Sequence, residues 1–455
     1  MPTLLQLVPH RSTTTSVRLW AGAWTDGSPP GEVPLTLRPG PRTVVLPATA
    51  WRPVLAGGHL PPTSRRIFVQ VVRLEGLQPG SVYRVEGPGC QARLSTLPQD
   101  LPGPDDRPFT LLLASCFYQP NDAQGSLGRA VQQLPDAFQP DVKLLCGDQV
   151  YLDLPLGVNF PDDTRWMADA FLGKYVHTFF QHGGFASLLE RGATYFAPDD
   201  HEYWNNFPNP SVLVNNSWSA SGRARWRQIA LDLYRDFQTD DPQAVGSPQR
   251  FEVGPLSFLV VDTRTHRGEG SGPLLRPADR DALLHWVQNL CGPGVLGVCQ
   301  PVLDTPGTWF QRTFKDRALP DYPDYGELVR ALLSSRHSVL VLCGDVHFGR
   351  VASCELRGGP SSVRLVEVIS SPTSLCHPLV GGRAGDAPAR FPAASDGSVT
   401  PRPTRTHYKT AEEHFVTIQF YQRAGHTEAA VRFWFPRSVR FGSTRFHALP
   451  PIRLS

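Results

Sequence analysis

The stretch LLCGDQVYLD, residues 144–153, is the most informative in the sequence, because a short apolar run stops at a glycine and is followed at once by Asp148. A second stretch, VLVLCGDVHFGR at residues 339–350, repeats this ending with Asp345 and then His347. Apolar runs bounded by a glycine predict buried strands, and the glycine lets the backbone turn sharply where the strand ends. The shared ending predicts that the two acids meet on neighbouring strands.

Strands and helices alternate after residue 108, which predicts an α/β domain with a largely buried sheet. The predicted strands are FTLLLASC, DVKLLCGD, ATYFAPDD, LSFLVVDT, SVLVLCGD and VRLVEVISS. The predicted helices have apolar residues near the 3.6-residue period, and they are DTRWMADAFLGKYVHTFF, RARWRQIALDLYRDF, RPADRDALLHWVQNL and DYGELVRALLSS. Residues 378–413, rich in Pro, Gly, Ser and Arg, predict a long loop, and HFVTIQFYQ with AAVRFWFP predicts a terminal hairpin.

Residues 1–97 have a different pattern, with short alternating runs between Pro and Gly turns. This pattern predicts a small N-terminal β-sandwich domain of the fibronectin III type. The prolines and acids of residues 98–108 predict a linker, so the α/β domain is placed at residues 109–455.

The composition is that of an ordinary globular protein, with 40% hydrophobic and 10% aromatic residues. A net charge of +3 gives no sign of a nucleic-acid or membrane partner, and the sequence leaves the oligomeric state open. The N-terminus lacks the pattern of a signal peptide, which predicts a cytoplasmic protein unless a signal was removed. The eight cysteines are scattered and form no CxxC pair, so neither a disulfide framework nor a thiolate zinc site is indicated.

Polar residues follow five of the predicted strands, at the carboxyl ends where α/β sheets build their sites. They are Ser115 and Cys116; Asp148 and Tyr151; Asp199, Asp200, His201 and Glu202; Asp262 and Arg264; and Asp345 and His347. Buried carboxylates without a counter-charge repel each other and raise each other's pKa values. Asp148 and Asp345 therefore predict a site that could bridge two cations.

Two interpretations are open for Cys116 and Tyr151. Cys116 could be a small buried hydrophobic residue, and the ring of Tyr151 could simply cap the core. A thiolate and a phenolate beside two carboxylates would instead suit a highly charged transition metal such as ferric iron. The remaining oxygen ligands would suit calcium, magnesium or manganese.

The run FAPDDHEYWNN is the densest polar segment after a strand. His201 could act as the general acid for a leaving alkoxide, held by a flanking acid, or it could be solvated at an exposed helix start. Asn205 or Asn206 could supply a neutral oxygen to a metal. Arg264 could clamp phosphate oxygens, or it could pair with Asp262 at the end of the sheet.

Together the motifs ASC, GDxxY, DDHExxNN, DTRxxR and CGDVHF, in this order, resemble the alkaline phosphatase D (PhoD-like) metallophosphatase family of the calcineurin-like metallophosphoesterases. The resemblance extends to an N-terminal β-sandwich, because LEGLQPGSVYRV is similar to the strand-turn-strand of that domain. It implies an αββα sandwich with a cluster of metals that hydrolyses phosphodiesters or phosphomonoesters. Fe³⁺ with Ca²⁺ is the implied pair, and Mn²⁺, Mg²⁺ or Zn²⁺ are alternatives.

The resemblance also implies roles for individual residues. Cys116, Asp148 and Tyr151 are implied ligands of iron, with Asp148 bridging to calcium. The remaining implied metal ligands are Asp345, His347 and one of Asn205 and Asn206. Asp200 and His201 are implied to act in metal binding and in protonation of the leaving group.

The predicted activity is hydrolysis of a small-molecule phosphoester in which the metals polarise the phosphoryl group and generate a hydroxide near neutral pH. His201 would protonate the leaving oxygen, and Arg264 would steady the phosphate. Two alternatives stay open at this point. One is a non-catalytic binding or scaffold protein on the same fold, and the other is a metal-dependent hydrolase of another ester, such as a phosphotriester.

Overall fold

The structure is a computed structural model that describes residues 4–61, 66–122, 124–155, 162–181, 183–309, 312, 316–357, 362–374, 383–393, 397, 399–440 and 443–455. It is a mixed α/β structure with four sheets and six helices among these residues.

The strands of the first hundred residues form two sheets of their own. They are β1 (Leu4–Ser12), β2 (Ser16–Thr25), β3 (Val33–Arg38), β4 (Arg42–Leu46), β5 (Arg52–Pro53), β6 (Arg66–Glu75), β7 (Val82–Gly87) and β8 (Cys90–Ser95). One sheet has the order β1-β2-β6-β5 and the other β4-β3-β7-β8. Leu7 and Leu19 of the first sheet and Leu35 and Val85 of the second belong to one buried cluster, so the two sheets share a core.

The described residues after position 100 form fifteen further strands. They are β9 (Phe109–Ala114), β10 (Val142–Cys146), β11 (Ala193–Ala197), β12 (Gln249–Val253), β13 (Leu256–Val260), β14 (Gly294–Gly297), β15 (Val339–Cys343), β16 (Gly349–Arg357), β17 (Val363–Ile369), β18 (Arg390–Phe391), β19 (Arg402–Thr410), β20 (Phe415–Arg423), β21 (His426–Arg440), β22 (Ser443–Ala448) and β23 (Ile452–Leu454).

These strands form two larger sheets. The seven-stranded sheet has the order β11-β10-β9-β20-β21-β22, with β23 also paired to β21, and β9, β10 and β11 run parallel. The eight-stranded sheet has the order β12-β13-β14-β15-β17-β16-β19-β18, and β13, β14, β15 and β17 run parallel. The carboxyl ends of the parallel strands in each sheet therefore lie at one edge.

Helices cover the outer faces of both large sheets. They are α1 (Ser126–Gln132), α2 (Thr164–Phe180), α3 (Phe185–Leu189), α4 (Ala220–Gln238), α5 (Pro277–Gln288) and α6 (Tyr325–Ser334). Helices α2 and α4 share a buried cluster with Leu112 and Leu145, while α5 and α6 share another with Val341. The inner faces, with Leu113 and Leu342, form a third cluster between the sheets. Because both faces are covered, β9, β10 and β15 are buried at every residue.

The six strands and four helices predicted after residue 108 are present, and HFVTIQFYQ and AAVRFWFP form an antiparallel hairpin. The prediction of a loop throughout 378–413 is wrong, because Arg402–Thr410 forms β19 on the open edge of β16. Its alternating Thr and Tyr residues suit a half-exposed edge strand and outweigh the loop-like composition around them. Residues 378–382, 394–396 and 398 lie outside the described residues.

The N-terminal sheet β1-β2-β6-β5 packs against helices α2 and α4. The indole of Trp20 is fully buried and donates a hydrogen bond to the backbone oxygen of Asp236 at 2.8 Å. Arg11 forms an ion pair with Asp240 at 2.7 Å. In the segment expected to be a linker, Leu101 is buried between the two large sheets, and its N–H donates to the backbone oxygen of Gly254 at 2.7 Å.

Among the described helices, none has the length and apolar character needed to span a bilayer.

Candidate metal centre

Side chains that follow β9, β10, β11 and β15 gather at one place. They form three groups whose ligand atoms lie within 4.8 Å of one another: Cys116, Asp148 and His347; Asp148, Asp200 and His201; and Asp199, Asp200, Asp316 and Asp345. Asp148 and Asp200 each belong to two groups, so the groups form one continuous cluster. The neighbouring-strand prediction for Asp148 and Asp345 is wrong, because β10 and β15 belong to facing sheets.

The backbone of this cluster is held in a rare conformation. Five non-glycine residues of the predicted site have a left-handed backbone: Cys116 (φ 53°), Asp148 (58°), Asn206 (71°), Asp345 (67°) and His347 (57°). Among the described residues, Ala424 in a hairpin turn is the one other non-glycine residue of this kind. Each such residue costs about 1–2 kcal/mol, and clustered strain of this kind marks functional sites.

The glycines before the two aspartates are required by close packing. A Cβ on Gly147, whose φ is 85°, would lie 2.3 Å from the Cβ of Asp199. A Cβ on Gly344 would lie 2.3 Å from the Oγ of Ser115. Gly147 therefore lets the ends of the neighbouring strands β10 and β11 approach closely, and Gly344 does the same for the ends of β15 and β9 from the two facing sheets.

The thiol side of the cluster joins residues from both sheets. The Sγ of the buried Cys116 lies 3.3 Å from Asp148 Oδ2 and 3.2 Å from Ser371 Oγ. Tyr151 donates its hydroxyl to Asp148 Oδ2 at 3.4 Å. The N–H of His347 donates to Ser371 Oγ at 2.9 Å. A thiol, a phenol and a carboxylate thus surround one point. Ser371, which follows β17, contacts both Cys116 and His347 and so links residues from the two large sheets.

His201 is held in place by a buried acid. Its Nδ1 lies 2.7 Å from Asp153 Oδ1, and its backbone N–H donates to Asp148 Oδ1 at 3.2 Å. The other carboxylate oxygen of Asp153 accepts the N–H of Asn205 at 2.7 Å. The imidazole is 12% exposed and lies against the ring of Tyr151, with centroids 4.3 Å apart. The alternative of a solvated His201 at an exposed helix start is therefore wrong.

The two candidate asparagines have different surroundings. Asn206 is buried, and its N–H donates to Asp200 Oδ2 at 2.6 Å, while its Nδ2 donates to Pro210 at 3.5 Å. Its buried Oδ1 accepts no hydrogen bond from any described residue. Asn205 directs its side-chain Nδ2 to Ser211 Oγ at 3.3 Å. Asn206 is therefore the better candidate for a metal ligand.

Arg264 lies beneath the acids rather than beside an open pocket. Its guanidinium is fully buried, pairs with Asp199 and Asp316, and donates to the backbone oxygen of Phe207 at 2.7 Å. The Nη1–Asp316 Oδ1 distance is 2.9 Å. Asp262 accepts the backbone N–H of Arg264 at 2.8 Å, so it does not take the guanidinium pairing considered from the sequence. This arrangement leaves Arg264 a positioning role toward the acids.

Glu202 fixes the loop that carries Asp148. One carboxylate oxygen accepts the N–H groups of Asp148 and Asp199, both at 2.8 Å. The other accepts the N–H groups of Gln149 at 2.6 Å and Val150 at 3.3 Å. A single buried side chain therefore replaces the hydrogen bonds that two strand ends lose where they leave the sheet.

The cluster concentrates negative charge away from water. Burial raises the pKa of Asp148 well above its ordinary value, with His201 opposing the shift and Asp200 and Asp345 adding to it. Burial also raises the pKa of Asp345 to about 7. The pKa of the Cys116 thiol is raised by burial and by the carboxylates of Asp148 and Asp345. These acids therefore retain protons near neutral pH unless a cation replaces them.

A polyvalent metal fits this donor set. The buried Asp199 Oδ2 and Asn206 Oδ1 have no hydrogen-bond partner among the described residues, and buried acceptors of this kind need a partner. The potential metal ligands near Cys116 include its sulfur and the phenol oxygen of Tyr151, whereas those near Asp345 are mainly carboxylates. The first set suits a transition metal and the second suits a hard cation.

Most of the predicted site residues meet in the cluster, and the structure gives roles to Asp153, Glu202 and Asp316 that the sequence did not predict. Asp153 and Glu202 lie within the quoted motifs, where the hydrogen bonds that define their roles cannot be read from the sequence. Asp316 lies in a segment without a strand or motif signal, yet it pairs with Arg264 and belongs to a carboxylate group of the cluster.

One comparison with known proteins supports the architecture. No protein-family model matches the chain, and no curated protein matches it in sequence. Among solved structures, the chain is similar to one titled "Structure of PhoD", with a TM-score of 0.61 and 16% sequence identity. The match covers 97% of this chain and 88% of that chain. The two proteins therefore share a fold over nearly their full lengths.

Proposed function

We propose that this protein is a metal-dependent phosphoesterase that hydrolyses phosphodiesters, phosphomonoesters or both. The observation that carries the proposal is the single continuous cluster of thiol, imidazole and carboxylate groups at the ends of strands from two facing sheets. The fold similarity to PhoD supports it. The proposal includes membership of the PhoD-like family, an αββα sandwich, and a separate N-terminal β-sandwich domain at residues 1–97.

The proposed metals are Fe³⁺ and Ca²⁺, with Mn²⁺, Mg²⁺ or Zn²⁺ as alternatives. Cys116, Asp148 and Tyr151 would hold the first metal. The other proposed metal ligands are Asn206, Asp345 and His347, of which His347 lies in one group with Cys116 and Asp148. When bound, such metals polarise a phosphoryl group, make water a nucleophile near neutral pH, and neutralise the charge that develops during an in-line displacement.

His201 is the proposed general acid for the leaving oxygen. Asp153 engages Nδ1 at 2.7 Å, which fixes the ring and leaves Nε2 as the atom that can donate a proton. Burial opposes the charged form, but the carboxylates of Asp153, Asp200 and Asp148 outweigh it and raise the pKa of His201 above its ordinary value. This shift favours the protonated imidazole, the form that a general acid requires.

Arg264 is proposed to act through its partners. Its guanidinium holds Asp199 and Asp316 on the inner side of the cluster, so these acids face the metals in a fixed orientation. A direct grip on a substrate phosphate would require a fully buried group to leave three partners. The proposal therefore assigns phosphate binding to the metals and positioning to Arg264.

The proposal is tested by hydrolysis of bis(4-nitrophenyl) phosphate with the purified protein. We expect turnover that chelation abolishes and that one or more of iron, calcium and manganese restores. Parallel assays with 4-nitrophenyl phosphate and a 4-nitrophenyl phosphotriester distinguish diester, monoester and triester chemistry. A protein that binds metal tightly but turns over none of these esters would favour the non-catalytic alternative.

Replacement of His201 should depend on the leaving group. We expect His201→Gln to slow hydrolysis of a diester with an unactivated alcohol by about 10²–10⁴-fold. The loss should be much smaller with 4-nitrophenol, because 4-nitrophenolate leaves without a proton. Asp153→Asn should act in the same direction with a smaller effect. The control is His177→Gln, because His177 lies on the exposed side of α2. Equal losses of activity with both leaving groups in His201→Gln would contradict the role of His201 in proton transfer.

A further inference from the structure

Four arginines form a continuous row on the opposite side of the structure from the strand ends that carry the metal centre. Arg38 of β3 is the cross-strand partner of Arg84 of β7, and Arg84 is the partner of Arg93 of β8. Arg93 pairs in turn with Arg191, which lies just before β11. Directly paired residues point to the same face of a sheet. The row therefore runs from the N-terminal sheet onto the seven-stranded sheet without a break.

Like charges opposite each other destabilise a sheet, so this row needs compensation. Burial lowers the pKa of Arg93 to about 10, and Arg107 and Arg191 add to the shift while Asp141 opposes it. Burial also lowers the pKa of Arg191, with Arg84 adding to the effect. The buried Nε of Arg191 donates to no acceptor among the described residues. Arg93 donates to the backbone oxygen of Pro140 at 2.8 Å, so the row is crowded and Arg191 keeps one N–H without an acceptor among the described residues.

The four arginines line a groove of about 600 Å³ between the N-terminal sheet and the segment that follows α3. Two carboxylates share this lining: Glu86, which lies 3.9 Å from Arg84, and Glu190, whose pKa burial raises to about 7. Four guanidiniums thus face two acids, so positive charge is in excess along the lining. A groove of this size is large enough for a small-molecule ligand.

The groove is separate from the metal centre. Arg191 precedes β11 and Asp199 follows it, so the five-residue strand holds the two sites apart by roughly 16 Å. A ligand in the groove would therefore leave the acids of the metal centre free.

We propose that this row of arginines binds a linear oligophosphate, an anion with three or more phosphate groups in a chain. Neighbouring strands lie about 4.8 Å apart, so the row offers a positive charge at regular short intervals over roughly 14 Å. A chain of phosphates matches this arrangement, whereas one phosphate can meet only two of the guanidiniums. Arginine is also the side chain whose planar donors suit phosphate oxygens best.

The test is calorimetric titration of the full-length protein with inorganic tripolyphosphate, orthophosphate and ATP. We expect tripolyphosphate to bind at least tenfold more tightly than orthophosphate. Tighter binding of ATP would assign the groove to nucleotides, and equal binding would assign it to the phosphate chain itself. Orthophosphate binding as tightly as tripolyphosphate would overturn the proposal, as would a wild-type protein that binds neither.

Variants separate the groove from the metal centre. Arg84→Gln should weaken tripolyphosphate binding at least tenfold, and Arg38→Gln should act in the same direction. Arg73→Gln is the matched control, since Arg73 is an exposed strand arginine that pairs with Glu75 as Arg84 does with Glu86. All variants keep the metal centre, so any binding of the probe to metals is equal in each. Unchanged binding in both groove variants would overturn the proposal.

Thermal unfolding gives a second readout, which does not require an affinity to be measured. Because Arg84 has arginines on both sides, Arg84→Gln should raise the midpoint of unfolding of the free protein, whereas Arg73→Gln should not. Tripolyphosphate should raise the midpoint of wild type and of Arg73→Gln by several degrees and that of Arg84→Gln by less. Equal shifts in all three proteins would show that the probe binds elsewhere and would overturn the proposal.

Discussion

Asp345→Asn should slow hydrolysis of bis(4-nitrophenyl) phosphate at least about a hundredfold and reduce the metal content of the purified protein. The carboxylate of Asp345 lies close to those of Asp199, Asp200 and Asp316. Its Oδ2 accepts a hydrogen bond from the side-chain amide of Gln300 at 3.0 Å. Loss of a partner that merely supports a metal ligand costs about 10–100-fold, so loss of a ligand charge should cost at least about a hundredfold. Turnover and metal content per chain measure the effect.

The choice of asparagine makes the result interpretable. Position 345 has a φ of 67°, a conformation that asparagine tolerates and alanine does not. Asp141→Asn is the matched control, because Asp141 precedes β10 and pairs with Arg107 at the end of the strand remote from the cluster. Wild-type activity in a folded Asp345→Asn protein would remove this residue from the proposed centre.

The sequence predicted the strands of the centre because their signals are local. Residues 142–146 and 339–343 are apolar throughout, since both of their faces are buried, and a glycine ends each run. Which strands become neighbours depends on long-range packing that no local pattern records. The twin Cys-Gly-Asp endings therefore predicted that the two acids lie together, as they do in one cluster, but suggested neighbouring strands where the structure has facing sheets.

The partners of the site residues were harder to predict than their positions. Arg264 sits in a motif that suits phosphate binding, but its surroundings are set by Asp199 and by Asp316, which lies more than fifty residues further along the chain. The roles of Glu202 and Asp153 depend on backbone N–H groups and on a ring nitrogen that converge only after folding. Such contacts follow from the tertiary structure and leave no periodic signal in the sequence.

Glu202→Gln should destabilise the protein and weaken its metal binding together. The carboxylate accepts four backbone N–H groups, two on each oxygen, from Asp148, Gln149, Val150 and Asp199. A glutamine amide keeps one acceptor and turns the other into a donor that faces two N–H groups. Each buried donor left without an acceptor costs about 1–3 kcal/mol, so the free energy of unfolding should fall by about 2–6 kcal/mol.

The loop that Glu202 holds carries Asp148, the residue shared by two of the ligand groups. Loosening this loop should therefore lower metal content as well as the midpoint of chemical unfolding. Glu367→Gln is the matched control, because Glu367 is a buried carboxylate that accepts the N–H groups of Val302 at 2.7 Å and Leu303 at 2.8 Å outside the cluster. We expect Glu367→Gln to lose stability but retain metal. If Glu202→Gln retains metal equally well, Glu202 supports the fold alone and the strained loop at Asp148 does not depend on it.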